Sequence, residues 1–111
     1  MNIVLAEERA GKQLAEKSFE KEVVLVGRDP SECDVAFEKD SYPMVSRRHA
    51  EVRWHDNKWW VNDLGSSYGT FLNERPVSSP QVLSFGDAMR FGTDGPTVRV
   101  VWFEMAESSA P

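Results

Sequence analysis

Three short blocks of this 111-residue chain carry side chains that could do chemistry. Gly27-Arg28 follows the β-branched run Val23-Val24-Leu25-Val26. Val45-Ser46-Arg47-Arg48-His49-Ala50 precedes an alternating segment. Asp63-Leu64-Gly65-Ser66-Ser67-Tyr68-Gly69-Thr70-Phe71-Leu72-Asn73 follows another. Together they set a permanent cation, several hydroxyls and flexible glycine backbone at the ends of short strands. A phosphate monoester carries about −1.5 to −2 charges and three strong acceptor oxygens, so a site for it needs those groups. Arg28 is the natural cation, because its planar fork stays charged and can meet two oxygens. Gly27 allows a tight backbone path beside it.

Taken in order, the three blocks resemble the signature of the forkhead-associated (FHA) domain, a reader of phosphothreonine peptides. The resemblance implies a non-catalytic antiparallel β-sandwich of many short strands with its recognition loops at one end. It carries the phosphate contact to Arg28. It implies that Ser46 donates its hydroxyl to the phosphate, with its amide as a further donor, and that Ser67 supplies a second hydroxyl. Arg47 falls where the family contacts the peptide backbone and in some members the phosphate. His49 matches a structural histidine that bonds loop backbone, and Ser66 a loop buttress. Gly69 and Thr70 fit the close turn into the next strand, and Asn73 a turn asparagine. Arg48 is expected in solvent. Tyr68 departs from the pattern, standing where the family usually has an asparagine that bonds the peptide main chain. With one hydroxyl and a bulky ring, Tyr68 could reach the peptide another way, pack over the threonine methyl, or partly occlude the site. Glu74 replaces a common glycine after Asn73, which bears on turn geometry.

The elements that must position these residues read mostly as strands. From His49 to Trp54, Ala50, Val52 and Trp54 alternate with His49, Glu51 and Arg53, the period of a half-buried strand. The polar turn His55–Lys58 hands over to Trp59-Trp60-Val61, predicting a hairpin. Ala88 to Phe91 is a further strand. Thr97 to Glu104, apolar on both faces, suits a central position. Pro76 and Pro80 break the intervening region into edge pieces. Ala6 to Ser18 favours helix by local propensity, whereas the family pattern makes it strand, loop and strand, and the second reading is preferred.

Composition bounds the rest. The length suits one domain, expected over residues 1–105, with 106–111 a flexible tail or the start of a linker. The formal net charge of −5 argues against general nucleic-acid or anionic-membrane binding. No apolar run is long enough to span a bilayer, and the start lacks the pattern of a signal peptide. The single cysteine, Cys33, permits no internal disulfide and points to a reducing, cytoplasmic compartment. Neither a cofactor nor a metal is expected, since His49, His55 and Cys33 lack ligand spacing. Ser46, His49 and Asp63 could be drawn as a catalytic triad, but Gly-x-Ser-x-Gly is absent and so small a domain leaves little room for a cleft and an oxyanion hole. The expected partner is a phosphothreonine-containing protein or a phosphorylated segment of a larger parent chain. The alternative is a phosphate-independent FHA-like module that docks a protein or regulates its own chain.

Overall fold

The computed structural model describes residues 1–105, and the expected tail at 106–111 lies outside the described residues. Eleven strands and no helix make up the described residues. They are β1 (Ile3–Arg9), β2 (Lys12–Phe19), β3 (Val23–Gly27), β4 (Val35–Ala36), β5 (Ala50–His55), β6 (Lys58–Asp63), β7 (Thr70–Leu72), β8 (Arg75–Pro76), β9 (Gln81–Val82), β10 (Ala88–Phe91) and β11 (Thr97–Phe103). One sheet has the order β2-β1-β11-β10-β7-β8 and the other β4-β3-β5-β6-β9. Pairing is antiparallel except for the short parallel contact of β3 with β4.

Alternation decides what lies between the sheets. Val24 and Val26 of β3, Ala50 and Val52 of β5, and Trp59 and Val61 of β6 are buried from one sheet. Ile3 and Leu5 of β1, Met89 and Phe91 of β10, and Val98 and Val100 of β11 meet them from the other. Their burial supplies the main driving force for the fold. β8 and β9, which hold or follow the prolines, lie at sheet edges, where a missing N–H breaks no ladder.

Two turns show how local chemistry selects strands. Ala10 and Gly11 take positive φ (53° and 77°) and close β1 onto β2 in a two-residue hairpin. That turn, with the pairing of β1 against β11, overrides the helix propensity of Ala6 to Ser18. Asp56 and Asn57, at φ 54° and 59°, close β5 onto β6 likewise; short polar side chains tolerate this conformation.

β11 is central, between β1 and β10. Its second apolar face is a consequence of register. Leu5 pairs with Val100 and Val4 with Trp102, so a bulge passes over Val101. The extra residue lets both Val100 and Phe103 pack on the core and leaves Trp102 43% exposed.

Candidate functional site

β3, β6 and β10 end, and β5, β7 and β11 begin, at one end of the sandwich, and the connecting loops gather there. Gly27 sets the approach of the first two loops. A Cβ at this position would stand 2.2 Å from the Arg47 carbonyl oxygen and 2.9 Å from Cys33 Sγ, so only glycine fits. The Arg47 carbonyl then accepts the amides of Arg28 (3.1 Å) and Asp29 (3.2 Å) and the Cys33 thiol (3.3 Å). The Arg28 amide is shared with the Ser46 carbonyl at 3.0 Å. The loop after β3 is thereby fastened to the one before β5.

His49 joins that second loop to a third. Its ring is fully buried, edge-on to Phe91. The Ser46 amide donates to Nδ1 at 3.0 Å, so Nδ1 carries no proton. The proton sits on Nε2, which donates to the Gly69 carbonyl at 2.8 Å. Burial pushes the imidazole below its ordinary range, while the Gly69 carbonyl and the charge of Asp63 pull the other way. The Ser46 amide is thus committed to His49 within the protein. The triad drawn on paper also has no free base, since both ring nitrogens are bonded to backbone.

Asp63 organises the third loop. Oδ2 accepts the amides of Gly65 and Ser66, each at 3.0 Å. Oδ1 accepts the Ser66 hydroxyl and, at 2.7 Å, that of buried Thr70. Burial alone would raise the carboxyl pKa, but bonds from Ser66, Thr70 and the Ser66 amide, with the nearby His49, hold it below the ordinary range. Ser66 Oγ also accepts the Gly69 amide at 2.9 Å. Gly69 has φ 84°, a conformation suited to glycine. Asn73, at φ 50°, exchanges bonds with Ala88 and Asp87 at the far end of β7, remote from the cleft loops.

Arg28, Ser46, Arg47, Ser67 and Tyr68, drawn from three separate loops, line one shallow cleft with Pro43, Met44 and Val45. The Ser67 amide donates to Ser46 Oγ at 3.1 Å, leaving the Ser46 hydroxyl proton free to point outward. Ser67 Oγ has no protein partner among the described residues. Arg47 and Arg48 are exposed. Arg28 is half-buried and its Nε is buried without a hydrogen-bond partner. Arg90 and Arg99, the other half-buried arginines, pair with Glu74 and Glu8. Among the described residues, Arg28 alone combines burial with no carboxylate partner.

Sequence reasoning placed Asp63, Pro43 and Met44 in the site loops without giving them individual roles. The spacing of Asp63 to Gly65 and Ser66 is a turn-forming aspartate pattern, and its side chain bonds both amides. Met44 and its neighbour Pro43 lie in a loop of mixed charge with no periodic signal.

The comparisons agree with this architecture. The oxoglutarate dehydrogenase inhibitor of Corynebacterium diphtheriae is 39% identical over 74 residues, 67% of this chain and 48% of that protein. The glycogen accumulation regulator GarA of Mycobacterium tuberculosis is 50% identical over 48 residues, 43% of this chain and 29% of that one. The chain thus spans about half or less of the curated relatives it matches. In fold it is similar to the FHA domain of the CT664 protein from Chlamydia trachomatis, with a TM-score of 0.78, 24% identity and coverage of 94% of this chain and 100% of that one. Residues 24–92, more than half of the chain and the stretch that holds all three loops, match the FHA domain family, and this chain belongs to that family of phosphothreonine-binding modules.

Proposed function

We propose that residues 1–105 form a non-catalytic phosphothreonine-peptide binding module of Ser/Thr kinase-dependent signalling in the cytoplasm. Its partner is a phosphorylated protein or a phosphorylated segment of a longer parent chain. The observation that carries this reading is Arg28. A half-buried guanidinium without a carboxylate has given up part of its hydration and received no anion in exchange. A phosphate in the cleft completes it with charge-assisted, bidentate hydrogen bonds. The Ser46 and Ser67 hydroxyls add donors from two other loops, and Arg47 adds a second cation at the rim.

The test is calorimetric titration with one peptide sequence in phosphothreonine, phosphoserine and unphosphorylated forms. Micromolar binding confined to the phosphorylated forms supports the reading. Equal binding of the unphosphorylated peptide overturns it.

A phosphate-independent docking module is the second reading. Tyr68 favours it, being 56% exposed at the cleft where its ring could meet a partner directly. The lone Arg28 has no role in that account.

A further inference from the structure

The end of the sandwich opposite the cleft carries a second concavity. β5 and β11 end there and β6 begins. A groove of about 570 Å³ opens at this end, lined chiefly by Trp54, Trp59, Val82, Leu83, Phe85 and Phe103. The Trp54 and Trp59 rings lie 5.5 Å apart, and Phe85 meets Phe103 edge-on at 4.6 Å. Val82 and Phe85 are exposed although large and apolar. Contiguous apolar surface of this kind marks a contact site, and aromatic rings are enriched at the buried centres of interfaces.

Three observations say what would cover it. Trp59 is fully buried, and its indole Nε1 has no hydrogen-bond partner among the described residues. A buried N–H without an acceptor costs free energy, which a carbonyl brought into the groove would relieve. The second observation is a free backbone edge. β9 ends its sheet. The Leu83 amide donates to the Trp59 carbonyl at 2.8 Å, and Trp60 pairs with Val82. Val82, one residue from that bonded pair, therefore turns its own N–H and C=O away from β6. An extended chain can pair there and lay alternate side chains in the groove. The third observation is charge. Exposed Lys58 lines the groove and joins no ion pair among the described residues, whereas Glu104, also in the lining, faces the N-terminal ammonium at 3.9 Å. Exposed charge pairs contribute little, so Lys58 tunes the choice of partner and apolar burial supplies the affinity.

We propose that this groove is a second docking site, for an extended and unphosphorylated segment of a partner protein. The segment adds to the free edge at Val82, lays apolar side chains against the four rings, offers a carbonyl to Trp59 Nε1 and sets an acidic residue opposite Lys58. The site is at the far end from Arg28 and stands whether or not the cleft binds phosphate.

The probes are blocked, unphosphorylated seven-residue peptides that alternate Leu or Val with Thr and carry Asp or Lys at one end, with an all-Ser peptide as control. Each is titrated into ¹⁵N-labelled wild type while the indole N–H signal of Trp59 is followed. A saturable downfield shift is expected with the alternating peptides, stronger for Asp than for Lys, and unchanged in Arg28→Ala. Val82→Pro, which removes the outward N–H, should weaken binding by about fivefold or more. Phe85→Ser, at an exposed position, should do the same and keeps the test valid should Val82→Pro unfold. No saturable shift at millimolar peptide, equal binding of the all-Ser control, or binding untouched by the folded variants overturns the proposal. A shift that follows protein concentration without peptide also overturns it, since a second copy would then cover the groove. Loss of phosphopeptide binding alone would sink the cleft reading and leave this site standing.

Discussion

The Ser46 amide donates to Nδ1 of His49 across 3.0 Å, and the same ring donates from Nε2 to the Gly69 carbonyl. One neutral imidazole therefore joins the loop that carries Ser46 to the loop that carries Ser67. Protonating Nδ1 would turn an acceptor into a donor facing another donor. Because burial lowers its pKa, His49 binds a proton more weakly folded than unfolded. The unfolded chain then takes up protons first as pH falls below about 6.5. This contribution to stability is complete above that pH and is lost as pH falls towards the folded-state pKa. Urea midpoints of the wild type should fall between about pH 7.5 and about pH 5.5, and those of His49→Gln, although lower throughout, should fall less. Equal slopes would show that His49 does not set the dependence.

Asp63 accepts four hydrogen bonds, three of them from its own loop and one from the first residue of β7. Asparagine at this position turns one acceptor into a donor facing groups that already donate. Asp63→Asn should destabilise the domain by about 2 kcal/mol, read as a shift in urea midpoint at unchanged slope. A midpoint within experimental error of wild type would contradict the organising role.

Ser66 and Ser67 are adjacent but differ in commitment. The Ser66 hydroxyl donates to Asp63 and accepts from Gly69, whereas the Ser67 hydroxyl has no protein partner among the described residues. Ser66→Ala should lower stability by about 1 kcal/mol. Ser67→Ala should leave stability within about 0.5 kcal/mol and weaken phosphopeptide binding by about tenfold or more. Thermal unfolding and calorimetry on both variants separate the effects. A reversed pattern would mean that the two hydroxyls exchange roles in the liganded protein.

Gly27 holds the Arg28 backbone against the Arg47 carbonyl, with no room for a Cβ. Gly27→Ala should destabilise by about 1–3 kcal/mol and weaken phosphopeptide binding in the fraction that remains folded, because Arg28 must shift with the backbone. Retention of both stability and binding would show that the two loops separate without consequence.

Much of this was legible in residue types. The alternation of Ala50, Val52 and Trp54 gives β5 and its buried face, and the polar turn gives the hairpin to β6. Glycine beside arginine, with two serine-bearing blocks, indicated residues that the structure brings to one cleft. The β1–β2 hairpin was legible only through the family resemblance, because the helix propensity of Ala6 to Ser18 is overcome by pairing distant in sequence. The bulge at Val101 leaves no local trace, so the run from Thr97 to Glu104 reads as apolar on both faces. The commitment of the Ser46 amide to His49 depends on loop geometry, which residue type does not encode. Met44 owes its place to Gly92, nearly fifty positions away in a different loop.

The central claim is that Arg28 holds a phosphate, and a double cycle tests it most directly. Phosphothreonine and unphosphorylated peptides are titrated into wild type and Arg28→Ala, with the fold of each checked by thermal unfolding. Loss of a charge-assisted bond of about 1.5–3 kcal/mol predicts at least tenfold weaker binding of the phosphorylated peptide by the variant, and no change for the unphosphorylated one. Equal loss for both peptides, or no loss for either in a folded variant, would contradict the account.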